Sequence, residues 1–194
     1  MQAGIRTRRT CRLEHNRATR ADTSRLSRRS RLDTEMSDIE TLRRILSTNR
    51  VIAVVGLSAE WNRPSFFAAK YMQEHGYRIV PVNPKYPSIL GEKSYPSLQA
   101  IPAEIAETIG IVDCFRRTAD IMPIAEAAVT MGARVLWQQI GVTNAEADVF
   151  VRTRGLDSVM DRCVKIEHAR LFGGLNWAGV NTGIISAKRP RSLP

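Results

Sequence analysis

The clearest pattern in the chain is a repeated exchange between short apolar runs and stretches with helical spacing. Val51-Ile52-Ala53-Val54-Val55 is a continuous, β-branched apolar run, as a strand buried on both faces requires. Gly56 ends it. Pro64 stands at a first helical position, and Ser65 through His75 reads as an amphipathic helix closed by Gly76. Tyr77 to Val82 is a second strand, stopped by Asn83-Pro84. Residues 83–107 are rich in Pro and turn formers, with an edge strand expected near Lys93–Tyr95 and a short helix from Ser97. Thr108 to Phe115 reads as a strand, Thr118 to Met131 as a helix, and Ala133 to Trp137 as a strand. Thr143-Asn144-Ala145-Glu146 is a capping box opening a helix that Gly155 closes. Asp157 to Met160 forms the last strand, followed by a helix across Cys163–Arg170. Upstream, Ser37-Asp38-Ile39-Glu40 is another capping box, opening a helix with apolar Ile39, Leu42, Ile45 and Leu46. About five strand–helix exchanges predict one α/β domain: a single doubly wound, mostly parallel sheet covered by helices on both faces.

Composition adds boundaries to this picture. The chain has 194 residues and a formal charge of +10, with enough apolar residues for a packed core. Residues 1–35 hold ten Arg and four acids, and the tail from Lys188 adds three bases, so residues 36–187 carry only +1. The expected organisation is a disordered basic segment over 1–35, the domain over 36–170, and a Gly-rich segment with a basic tail over 171–194. The first 35 residues admit three readings: a basic arm for phosphates or anionic lipid, an organelle transit peptide, or a non-native extension of a chain that starts at Met36. The last is preferred. A near-neutral domain argues against nucleic acid as its partner, although a basic-tailed nucleic-acid binder stays open as a third hypothesis. Leu171–Ala187 is the longest uncharged stretch, but its 17 residues include four Gly and two Asn, short of a membrane span. Cys11, Cys114 and Cys163 give no disulfide framework and suit a reducing cytoplasm.

In doubly wound sheets, ligands sit beyond the carboxyl ends of the strands, where strand order reverses. The first such junction, Gly56 to Ser65, is no dinucleotide fingerprint, since it has one Gly and is too long. It still has the parts of an anion site. Gly56 permits close backbone approach, Ser58 and Ser65 offer hydroxyls, Arg63 offers a planar fork, and the helix from Pro64 points free N–H groups at the same place. The second strand ends in Asn83-Pro84-Lys85, with no carboxylate for an NAD ribose, while Lys85 suits the extra ribose phosphate of NADP or coenzyme A. Phe115 is placed to pack on adenine or a pantetheine chain, with Arg116 and Arg117 toward the pyrophosphate. In Trp137-Gln138-Gln139-Ile140-Gly141, Gly141 again allows close approach. Each feature also has an ordinary structural reading as a solvated loop, Lys or Arg.

Val54–Ser58, Arg63-Pro64-Ser65, Gly76–Pro84, Leu90-Gly91-Glu92, Tyr95–Leu98, Val112–Arg117, Trp137–Gly141 and Met160–Cys163 occur in that order along the chain. Together they resemble the stand-alone bacterial and archaeal CoA-binding domain proteins. That family shares its fold with the CoA-binding domain of the succinyl-CoA synthetase alpha subunit and of ADP-forming acyl-CoA synthetases. The resemblance runs over about 38–170 and implies a Rossmann-like, nucleotide-binding domain holding coenzyme A. It implies ligand contacts from Gly56, Leu57, Ser58, Arg63, Ser65, Asn83, Pro84, Lys85, Phe115, Arg116, Gln139 and Gly141.

The related ligases use an active-site histidine on a separate domain, for which this chain has no room. Cys163 and His168, five apart on a helix, lie about 140° apart and make a poor nucleophile–base pair. Asp113 and Asp161 end strands and can face the cleft, but no Tyr-x-x-x-Lys pair or His–carboxylate metal cluster is present. The expected function is a non-catalytic or accessory protein of the cytoplasm that binds CoA or acyl-CoA. The alternative is an NADP-linked oxidoreductase or nucleotide-responsive redox sensor.

Overall fold

The computed structural model describes residues 38–173. The expectations for 1–35, for Ser37 and for the tail from Gly174 lie outside the described residues. The chain divides into two compact units, 1–44 and 45–194. In the first, residues 38–44 are the opening turns of helix α1, which spans 38–48.

The second unit carries the sheet. Strand β1 (Val51–Val55) leads to α2 (Pro64–Glu74) and β2 (Arg78–Val82). A hairpin of β3 (Ser88–Ile89) and β4 (Glu92–Lys93), a 3-10 turn at Leu98–Ala100 and the short α3 (Ala103–Ala106) follow. The chain then runs through β5 (Ile111–Cys114), α4 (Ile121–Thr130), β6 (Val135–Gln138), α5 (Ala145–Arg152), β7 (Asp157–Val159) and α6 (Val164–Phe172). The five long strands are parallel in the order β2-β1-β5-β6-β7. The chain leaves β1 toward one edge and later returns on its other side as β5, so strand order reverses between β1 and β5. This is the predicted doubly wound, Rossmann-like α/β fold.

Alternation along the strands divides the core. Ala53, Val112, Cys114 and Leu136 pack with Ile121, Ala125, Ala128, Ala147 and Val151 of α4 and α5. Ile52, Val54, Ile111 and Trp137 point the other way and are also buried, as are Ala68, Ala69 and Met72 of α2. Helix α2 packs with α6, and α4 packs with α5, giving one helical layer on each face. Each large side chain so buried contributes about 1.5–3 kcal/mol. Trp137 satisfies its ring N–H by donating to the Arg162 carbonyl at 2.7 Å.

Local differences from the sequence pattern have definite causes. Helix α5 is capped by Asn144, whose Oδ1 accepts from the Ala147 N–H at 2.9 Å, and not by the Thr143–Glu146 box. Thr118–Asp120 is a 3-10 turn before α4. The expected edge strand at 93–95 is split: Ser88–Lys93 forms a separate hairpin, turning through Leu90 (φ 57°) and Gly91 (φ 80°). Tyr95 alone bridges β2, donating its N–H to Pro81 O at 3.0 Å while its carbonyl accepts from Asn83 N at 2.8 Å. Among the described residues no helix is long and apolar enough to cross a membrane.

Candidate functional site

The β1/β5 reversal opens a cleft of about 690 Å³ along the carboxyl ends of the strands. Gly56 sits at its centre with φ +87°. A Cβ there would lie 2.5 Å from the Phe115 carbonyl oxygen and 2.9 Å from Arg116 Cδ, so glycine lets the ends of β1 and β5 meet. A second hollow of about 470 Å³ adjoins it, sharing Gly56, Asn83, Pro84 and Arg116.

Ten of the twelve residues singled out from the sequence line the larger cleft: Gly56, Ser58, Arg63, Ser65, Asn83, Pro84, Lys85, Phe115, Arg116 and Gln139. Leu57 and Gly141 do not. Leu57 is fully buried, with its carbonyl accepting from Asn83 Nδ2 at 2.8 Å. Gly141 (φ +81°) donates its N–H to Asp161 Oδ1 at 2.8 Å. Exposed Asp161 therefore shapes the β6 exit.

Several lining side chains serve the loop itself. Ser65 Oγ accepts from Ser58 N, and Ser58 Oγ from Glu60 N, both at 3.1 Å. Asn83 Oδ1 accepts from Lys85 N at 2.9 Å. The α2 N-terminus has fewer open donors than expected. Pro64 has no N–H, and Phe66 and Phe67 donate to the Arg63 carbonyl at 3.0 and 3.2 Å.

The cations differ in availability. Arg63 Nε pairs with Glu60 Oε2 at 2.9 Å, and Arg116 Nη2 with Asp120 Oδ2 at 3.1 Å. Both pairs lie near the surface, where such bridges contribute only about 0–1 kcal/mol, so a polyanion can compete for either fork. Arg117, beside Arg116, is also held by Asp120, at 3.2 Å, and lines neither hollow. Lys85 has no ion-pair partner among the described residues.

The far end of the cleft, past β6, is formed by Ile140, Val142, Cys163 and Ile166. Cys163 caps α6 there, in a segment that Arg162 N ties to the Gln138 carbonyl at 3.3 Å. The sequence signal for it was the exits of the fourth and fifth parallel strands, each followed by a helix. Behind this end, Gln139 Nε2 donates to Asp113 Oδ1 at 2.7 Å. Asp113 lies within β5, almost wholly buried, and burial pushes its carboxyl up to about 7 against the opposing pull of Gln139 and the Cys114 backbone. Cys163 is half-buried: burial raises its thiol, opposed by the backbone N–H groups of Ile166 and Lys165. His168 belongs to another region, with Nδ1 3.2 Å from the Tyr71 hydroxyl and its ring against Tyr77 and Phe172, so it forms no pair with Cys163. Among the described residues no cluster of His, Cys, Asp and Glu suits a metal ion.

The fold and cleft have known counterparts. The uncharacterized protein YneT of Bacillus subtilis is 40% identical over 128 residues, covering 66% of this chain and 92% of that protein. A hypothetical protein from Pyrococcus horikoshii OT3 has a solved structure with TM-score 0.65 and 41% identity, covering 70% of this chain and 92% of its own. A solved structure from Thermus thermophilus gives TM-score 0.64 at 32% identity, covering 69% of this chain and 98% of its own. The family described as CoA binding domain matches residues 50–169. The chain belongs to that CoA binding domain family.

Proposed function

We propose that the protein binds coenzyme A or an acyl-CoA in the cleft at the β1/β5 reversal, as a cytoplasmic, non-catalytic or accessory ligand-binding module. The carrying observation is the polarity of that one cleft. Its β2 end offers Lys85, its middle offers Arg63, Arg116 and the glycine-opened turn, and its β6 end offers Ile140, Val142 and Ile166. Coenzyme A has the same order: a phosphorylated adenosine, a pyrophosphate, and a largely apolar pantetheine arm. The adenosine lies over Asn83-Pro84 with its 3′-phosphate toward Lys85, and the pyrophosphate meets Arg63 and Arg116.

Thermal unfolding with ligand tests this. Coenzyme A at about one hundred times its Kd stabilises the fold by about 2.7 kcal/mol. Arg63→Ala weakens binding about tenfold, because a charge-assisted hydrogen bond to phosphate is lost. Stabilisation by NADPH but not by coenzyme A would replace this reading with the NADP-linked one. No shift with either would remove the cleft as a nucleotide site.

A further inference from the structure

We propose that Cys163 is a site of covalent attachment for the ligand, forming by exchange with CoA disulfide a mixed disulfide with the sulfur at the end of the pantetheine arm. The inference rests on the coenzyme A reading above and assigns a use to the β6 end of the same cleft.

Position comes first. From Lys85 beyond β2 to Gln139 beyond β6, the cleft crosses four neighbouring strands, about 14 Å at ordinary strand spacing. A ligand with its phosphates at the cationic end and its arm extended along the cleft delivers its terminus to Cys163.

Gln139 supplies an independent observation. It is only 4% exposed, yet it lines the cleft. Its Nε2 is taken by Asp113 Oδ1, whereas its Oε1 has no hydrogen-bond partner among the described residues. Asp113 Oδ1 accepts from Nε2, which turns Nε2 inward and leaves Oε1 as an open acceptor. In the pantetheine arm, a secondary amide N–H lies two methylenes from the thiol. A hydrogen bond from that N–H to Gln139 brings the thiol to the end of the cleft where Cys163 stands.

The chemistry is thiol–disulfide exchange. The Cys163 thiolate attacks one sulfur of CoA disulfide, the Cys163–CoA bond forms, and the original S–S bond breaks. The departing CoA thiolate takes a proton from water, and one disulfide is exchanged for another with no outside oxidant. The environment favours a slow-forming, persistent adduct. Burial keeps Cys163 mainly protonated at neutral pH, and a site that does not stabilise its thiolate gives a disulfide that resists reduction. Of the two cysteines among the described residues, Cys114 is fully buried in the sheet and does not compete.

The full chain is incubated with CoA disulfide or with glutathione disulfide, and adducts are mapped by peptide mass spectrometry. The expected result is one CoA on Cys163, formed at least about tenfold faster than the glutathione adduct because binding pre-positions the reacting sulfurs. An excess of desulfo-CoA, which fills the cleft but cannot react, slows it, and Cys163→Ser gives no adduct at that position. Two results overturn the proposal and separate it from the reading beneath it. Melting stabilised by desulfo-CoA with no Cys163 adduct leaves the CoA reading standing. Equal labelling by both disulfides, unaffected by desulfo-CoA and without a melting shift, removes both.

Discussion

Asp113→Asn isolates one charge in the centre of the sheet. The side chain keeps its shape, and its Oδ1 can still accept from Gln139 Nε2, now at 2.7 Å. Only ionisation is removed. In the folded protein burial pushes the Asp113 carboxyl up to about 7, whereas in the unfolded chain it titrates near ~3.9. Between those values the unfolded state has released the proton and the native state still holds it. Stability therefore falls as pH rises through this window, is highest below it, and levels off above about 7. Integrated from pH 5 to pH 8, the loss is about two pH units of linkage, or about 3 kcal/mol. Urea denaturation of both proteins at the two pH values measures it, because every other titrating group cancels in the difference. With m of ~2 kcal/mol/M, the midpoint of Asp113→Asn should gain about 1.5 M on wild type between pH 5 and pH 8. A difference between the proteins that does not change with pH would refute a buried carboxyl that ionises near neutrality.

Two further substitutions test the geometry of the site and its supports. Gly56→Ala places a methyl 2.5 Å from the Phe115 carbonyl at a left-handed φ, and should cost about 2–5 kcal/mol in urea unfolding. Because Arg116 must move as well, ligand stabilisation should fall with it; an unchanged midpoint and ligand response would count against the close approach. Asn144→Ala removes the cap on Ala147 N and the 3.0 Å bond to the Thr118 carbonyl, a loss of about 1 kcal/mol in thermal or urea unfolding, with the ligand shift retained.

The strands were legible because a parallel sheet buried on both faces demands continuous apolar runs, and Val51–Val55 is such a run. Glycines past α2, α4 and α5 were legible for a similar local reason: Gly76, Gly132 and Gly155 all adopt positive φ. What escaped was decided by partners outside the strand and helix pattern. Asn83 and the two serines line the cleft as read, and they also fasten its rim through bonds among Leu57, Ser58, Ser65 and Glu60. Asp113 read as a strand-end acid, yet it sits inside β5, where its partner lies 26 positions away. Gln138 and Gln139 are neighbours with opposite duties, since the pleat turns Gln138 toward Asn144 and Gln139 toward Asp113. Sequence periodicity contains that alternation, but not which side faces the cleft.

Pro81 in β2 bears on self-association. Arg78 N–H points toward β1, so alternation turns Ile79 and Pro81 to the open side of this edge strand. Pro81 has no N–H to offer, and its carbonyl is already taken by Tyr95. An incoming strand finds neither a donor nor a free acceptor at that position, which blocks the growth of a continuous cross-molecule ladder. The edge that shapes the ligand cleft is thereby also protected against aggregation, and Pro81→Val would remove part of that protection even where it left the native fold unchanged.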